Sequence, residues 1–170
     1  MGDPDFRFEQ IIIEETTYAR AGDWCNSLHS RLVGPYLTRF GNEEQCQRFL
    51  PGCISGDTIL AIAMTEPDAG SDLAGMRSTA VEKDDHWLLN GSKTYISNGI
   101  NADLVVVAAK TDPEHNPHHM TLFLVERGME GFARGRAGHR LTLRRRLGRS
   151  AWRPAPWRVP PRPRGRAAAR

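Results

Sequence analysis

The apolar positions change their period once along the chain, near residue 57. Residues 6–20 contain neither Gly nor Pro and place Phe8, Ile11, Ile12 and Tyr18 at roughly helical spacing. After Asp23, a residue type suited to an N-cap, Trp24, Leu28, Leu32, Tyr36 and Phe40 recur every four residues and predict one stripe of a second helix. Gly34-Pro35 predicts a kink or break in it, because Pro lacks an N–H and its ring clashes with the preceding turn. Gly41 reads as its stop. Asn42 followed by Gln45 predicts a capping box, with Glu43 and Glu44 suitably placed in the first turn. That third helix is expected to bury Cys46, Phe49 and Leu50 and to end near Pro51.

Beyond residue 57, short apolar runs replace the four-residue period. Residues 58–64, 77–82 and 86–90 read as strands, the last two joined by a turn at Asp84-Asp85. Asn90-Gly91 is a hairpin signal leading into a strand over 93–97. Residues 103–110 and 121–126 bring the run to five or six strands. Helices first and strands afterwards predict an α+β fold, with a helical domain over 1–57 and a β domain over 58–136.

Charge separates off the remainder. Every one of the 20 Asp and Glu residues lies at or before Glu130. Residues 1–136 carry a formal −8, and residues 137–170, with 11 Arg and no acid, carry +11. Of those last 34 residues, 25 are Arg, Pro, Ala or Gly, so residues 137–170 are expected to be a disordered basic tail. Cys25, Cys46 and Cys53 lack metal-ligand spacing, so no metal site is expected and the thiols read as reduced. No apolar run approaches the roughly 18 residues a bilayer span needs. The N-terminal Met-Gly-Asp-Pro-Asp resembles neither a signal peptide nor an Arg-rich transit sequence.

Two segments carry candidate chemistry. Thr65-Glu66-Pro67-Asp68-Ala69-Gly70-Ser71-Asp72 follows a strand and exposes small residues, whose backbone N–H groups and hydroxyls suit an anion such as pyrophosphate. Pro, Asp, Gly and Ser are equally the residues of a surface turn, which composition alone favours. In the segment from Asn90 to Gly99, Tyr95 and Ser97 stand two residues apart. On a strand they share a face, where a ring could meet a flat ligand and a hydroxyl one of its heteroatoms. A hairpin with a half-buried Tyr is the plainer alternative.

Together, these segments resemble the acyl-CoA dehydrogenase family. Ala63-Met64-Thr65-Glu66-Pro67-x-Ala69-Gly70-Ser71-Asp72 is similar to its first signature, and Leu89-Asn90-Gly91-x-Lys93-x-x-Ile96-Ser97-Asn98-Gly99 to its second. Asn42-Glu43-Glu44-Gln45, Leu50-Pro51 and Ser55-Gly56 resemble the helix before the β domain, and Glu14-Glu15 with His29-Ser30 resembles the long-chain branch. The resemblance runs from Phe6 to Arg136 and implies FAD as cofactor. Ile62, Ala63, Met64, Thr65, Gly70 and Ser71 would line it, with Gly70 and Ser71 beside the pyrophosphate. Tyr95, Ile96 and Ser97 would lie against the isoalloxazine. Ser71 would also touch the acyl-CoA substrate, and His118 and His119 sit in a loop resembling one that meets the CoA nucleotide, with two exposed loop histidines as the plainer alternative. Asp68 stands where the family often has Gly, which raises the question of a left-handed backbone there.

The implied reaction is α,β-desaturation of an acyl-CoA thioester in fatty-acid β-oxidation. Electrons would pass to an electron-transfer flavoprotein from a homo-oligomeric enzyme, mitochondrial in a eukaryote and cytoplasmic in a bacterium. The family's base is a Glu on a C-terminal helical bundle that is not expected in these 170 residues. This chain is therefore expected to have no catalytic residue of its own, an incomplete β domain and no activity alone. The tail's vocabulary is that of a GC-rich gene read in a shifted frame. Alternatives are a nucleic-acid-binding arm, with Trp152 and Trp157 stacking on bases, and an acyl-CoA oxidase of the same fold.

Overall fold

The computed structural model describes residues 5–21, 27–112, 119–135 and 140–148, with the backbone alone for 140 and 143–148. Helix α1 spans Phe6–Tyr18, started by the Asp5 carboxylate accepting from the Arg7 amide. Its expected stripe is turned outward: Phe8, Ile11, Ile12 and Tyr18 are exposed, and Glu9 is buried. Polar contact holds this helix, with Arg31 3.5 Å from the Glu9 carboxylate and over the Phe6 ring.

Asp23 and Trp24 lie outside the described residues. Downstream, a π-helical turn, Leu28–Val33, runs without a break into α2, Gly34–Phe40. The cause is Pro35, whose missing N–H leaves the Arg31 carbonyl without its α-helical donor. The wider turn instead sends the Gly34 amide five residues back to the His29 carbonyl. It also rotates the buried face by one residue. Val33 and Leu37 are buried, and Leu32 and Phe40 of the expected stripe are exposed.

Helix α3, Glu43–Ser55, opens with the capping box of Asn42 and Gln45 and buries Phe49. It continues four residues beyond Pro51 to a left-handed Gly56 at φ +87. Pro51 removes the helical donor to the Gln47 carbonyl, and both residues lie on an exposed face of the helix.

Seven strands follow: β1 Leu60–Ala63, β2 Thr79–Glu82, β3 His86–Thr94, β4 Leu104–Lys110, β5 Met120–Glu126, β6 Phe132–Arg134 and β7 Arg140–Gly148. They form one curled sheet ordered β1-β4-β2-β3-β7-β6, with β5 on the other edge of β4. Strand β1 pairs in parallel with residues 104–107 of β4, and β2 joins the same edge at Lys110.

Two expectations are corrected here. Asn90-Gly91 is not a hairpin: β3 passes straight through it, paired with both β2 and β7. Gly91 is required for a different reason, since a Cβ there would lie 2.0 Å from Ser78 Oγ and 2.5 Å from Ser78 Cβ. Nor does order stop at residue 136. Residues 140–148 pair residue for residue with 86–94, and Leu141 is fully buried. Backbone pairing with a partner strand is indifferent to the Arg content that argued against structure there. Residues 149–170 lie outside the described residues.

Strand β4 divides the core. Val105, Val107 and Ala109 point into the curl with Phe123, Val125, Trp87 and Leu141. Leu104, Val106 and Ala108 point the other way, with Leu122 and Leu124, beneath Val33, Leu37 and Phe49 of the helices. Burial on both faces explains its unbroken apolar run. Trp87 meets Phe123 edge-on at 5.5 Å between ring centroids, across the curl.

Candidate functional site

Both sequence signatures emerge from strand ends, and one buried cation fastens them together. Lys93 of β3 is fully buried and donates to Glu66 Oε1 at 2.8 Å and to the Met64 carbonyl at 3.1 Å. Glu66 also accepts from the Arg77 amide at 2.7 Å and the Ser78 amide at 3.0 Å. One residue on from Lys93, the Thr94 amide donates to the Thr65 carbonyl at 2.9 Å. The end of β1 is thereby stitched to the end of β3.

Burial alone would raise the Glu66 carboxyl, but hydrogen bonds from Lys93 and from the amides of Ser78 and Arg77, with the Lys93 charge, hold it below its ordinary value. Burial pulls the Lys93 ammonium below its ordinary value against the opposing hydrogen bond and charge of Glu66. Both Glu66 carboxylate oxygens accept hydrogen bonds inside the protein, Oε1 from Lys93 and the Ser78 amide and Oε2 from the Arg77 amide. A Lys in an otherwise apolar alternation was the only sequence signal for it.

The first signature divides after this clamp. Ala63 is buried inside the curl, while Ile62, Met64 and Thr65 remain partly exposed at the end of β1. Residues 66–69 make a tight turn, with Glu66 and Ala69 exchanging amide bonds at 2.8 and 3.2 Å. Gly70 and Ser71 then lie exposed, and a Cβ built on Gly70 meets nothing within 4 Å. Asp68 has no left-handed backbone and pairs with Arg77 at 3.2 Å, so this departure from the family's frequent Gly carries no strain.

The second signature leaves β3 at Thr94, so Tyr95 and Ser97 stand on a bend and not on a strand face. Tyr95 takes a left-handed φ of 55° and is 78% exposed, Ile96 is buried in the curl, and Ser97 is exposed. Asn98, also left-handed at φ 60°, donates weakly to the Leu60 carbonyl at 3.4 Å. A cleft of about 310 Å³ opens between Tyr95 and Asn101. A bulky residue held at positive φ with its ring in solvent is a strained arrangement of the kind found at ligand sites.

Of the two loop histidines, His119 hydrogen-bonds Thr111 Oγ1 at 3.2 Å and closes the connection between β4 and β5. His118 lies outside the described residues. No group of three or more His, Cys, Asp or Glu among the described residues is arranged to hold a metal. No described helix is long and apolar enough to cross a membrane.

These features define a class: a helical domain leading into a curled β domain whose strand ends present a ring, hydroxyls and an open glycine loop. Residues 2–57 match the family model "Acyl-CoA dehydrogenase, N-terminal domain" and residues 61–148 match "Acyl-CoA dehydrogenase, middle domain". The chain belongs to the acyl-CoA dehydrogenase family, whose members are FAD-dependent oxidoreductases of acyl-CoA metabolism. It is 47% identical over 136 residues to the mitochondrial long-chain specific acyl-CoA dehydrogenase of Sus scrofa, covering 79% of this chain and 32% of that one. The crystal structure of an acyl-CoA dehydrogenase from Geobacillus kaustophilus matches with a TM-score of 0.70 and 45% identity, over 73% of this chain and 36% of that one. A glutaryl-CoA dehydrogenase from Mycobacterium smegmatis, solved in complex with FADH2, matches with a TM-score of 0.60 and 36% identity, over 68% and 31%. The chain spans about a third of the length of these relatives.

Proposed function

We propose that the ends of β1 and β3 form one wall of an FAD site serving the α,β-desaturation of an acyl-CoA thioester. The observation that carries this reading is the clamp of Lys93 and Glu66 with the 2.9 Å bond from Thr94 to Thr65, which sets residues 62–65 beside 95–97. The residues fit a flavin. Tyr95 offers an exposed ring, Thr65 and Ser97 offer hydroxyls, and Gly70 leaves open space where a phosphate can approach the backbone.

In this arrangement the hydroxyls of Thr65 and Ser97 orient the flavin ring, Gly70 and Ser71 receive the pyrophosphate, and Ser71 also reaches the acyl-CoA. Of the two histidines, His119 is assigned to loop closure, in keeping with its bond to Thr111. When bound, FAD supplies the acceptor for the substrate's β-hydrogen. The proton acceptor is a separate group. Glu66 is excluded from that role, because its oxygens are committed to Lys93, Arg77 and Ser78. No Asp or Glu occurs after Glu130. In this reading the ends of β1 and β3 provide the flavin wall, and proton abstraction falls to a carboxylate other than Glu66. Electron-transfer flavoprotein and further copies of the chain are the partners this reading assigns to the whole enzyme.

The test is titration of the purified chain with FAD, followed by flavin fluorescence, and then assay with an acyl-CoA series and an artificial acceptor. Saturable FAD uptake without turnover is expected. Absence of any uptake would sink the flavin wall, and turnover above the no-enzyme rate would sink the separate base.

A further inference from the structure

Strand β1 lies at an edge of the sheet, with β4 on one side only. The Ile59 carbonyl accepts from Leu104, so Leu60, the next residue, turns its N–H and C=O away from β4. Leu60 is fully buried beneath the helices, so this outward pair needs partners inside the protein. The carbonyl is met by Asn98 at 3.4 Å. The N–H donates to His29 Nδ1 at 3.0 Å.

His29 stands in the π-helical turn, and its other ring nitrogen, Nε2, is 2.9 Å from the carbonyl of Cys53 near the end of α3. These two contacts determine the ring's protons. A backbone N–H can only donate, so Nδ1 is bare. A carbonyl can only accept, so Nε2 carries the hydrogen. An imidazolium or the opposite tautomer would set N–H against N–H at Leu60. The π turn contributes to the placement, because the Gly34 amide anchors the His29 carbonyl across the wider turn that Pro35 imposes.

We propose that His29 is a positioning residue, held as the neutral Nε2–H tautomer, that joins the helical domain to β1 and so sets the position of Ile62, Met64 and Thr65 at the proposed flavin wall. The flavin half of this statement rests on the function proposed above; the tautomer and the tie to Leu60 do not. Two amide substitutions separate the two arms. In His29→Asn the amide oxygen falls where Nδ1 was and keeps the acceptor for Leu60. In His29→Gln the amide nitrogen falls near Nε2 and keeps the donor to Cys53 alone.

The experiment begins with the intact chain, 15N-labelled at histidine. Long-range proton–nitrogen correlation is expected to show His29 with a bare Nδ1 and a protonated Nε2 at neutral pH. An Nδ1–H tautomer or an imidazolium overturns the proposal. Hydrogen exchange at the Leu60 amide is then compared among the wild type, His29→Asn and His29→Gln. Exchange about tenfold faster in His29→Gln, with protection kept in His29→Asn, is expected. Equal protection in all three overturns the tie to Leu60. FAD titration of the same proteins is expected to show retention weakened about tenfold in His29→Gln and largely rescued in His29→Asn. Equal FAD binding by both variants overturns the positioning role. If the wild type takes no FAD, the flavin wall fails, and the tautomer and the Leu60 amide still decide the tie.

Discussion

Gly91 shows how one residue type serves two ends. Preceded by Asn it looks like a turn glycine, yet it sits mid-strand because Ser78 occupies the space a Cβ needs, with its Oγ 2.0 Å from that point. Gly91→Ala is expected to destabilise by about 1–3 kcal/mol through overpacking. Ser78→Gly in the same chain should restore most of the loss, which denaturant titration of the three variants checks. Gly70 is the converse case. Its missing Cβ faces open space, so Gly70→Val should leave stability unchanged and weaken FAD uptake. A variant equally stable and equally flavin-competent would remove the pyrophosphate assignment. Lys93 and Glu66 make the third residue-scale prediction. Lys93→Met strands a buried carboxylate and should cost about 3–5 kcal/mol, and adding Glu66→Gln should recover part of it, a coupling that a double-mutant cycle measures.

At the scale of elements, local chemistry was legible wherever the signal was itself local. The capping box of α3 and the Asp84-Asp85 turn between β2 and β3 stand where the sequence predicts them, because each needs only neighbours within a few residues. Prolines misled twice. Pro35 accompanies a π-helical widening where a kink or break was expected, and Pro51 rides inside a helix that was expected to end there. The bend at Tyr95 was invisible, because the alternation of exposed, buried and exposed residues survives it. Strand β7 was hidden by its Arg content. Its pairing with all nine residues of β3 makes a truncation test direct. A chain cut after Gly135 should lose cooperative stability, with β3 left as an open edge and the Leu141 site vacated. A chain cut after Gly148 should retain it. Equal melting of the two would mean that β7 contributes nothing.

For the whole molecule, the coupling of helices to sheet through β4 makes the site depend on groups far apart in sequence. Acid should test this. Glu66 has a folded pKa below its unfolded one, so its stabilisation is complete above the ordinary carboxylate range and is lost as pH falls through the lowered folded value. Unfolding free energy should therefore fall toward acid pH more steeply in the wild type than in Glu66→Gln. Identical slopes would show that the clamp is not ionised.

By itself the sequence determined that helices precede strands and supplied both signatures, because periodicity, caps and short motifs are properties of neighbouring residues. It also determined the family, since two long motifs in register leave little room for coincidence. Only the tertiary structure decided that Lys93 fastens one signature to the other, that Gly91 is a contact and not a turn, and that His29 meets Leu60. Each of these joins residues 13 to 31 positions apart. Such partners are set by where the sheet curls and which polar groups its burial leaves needing a bond, and no local pattern records that.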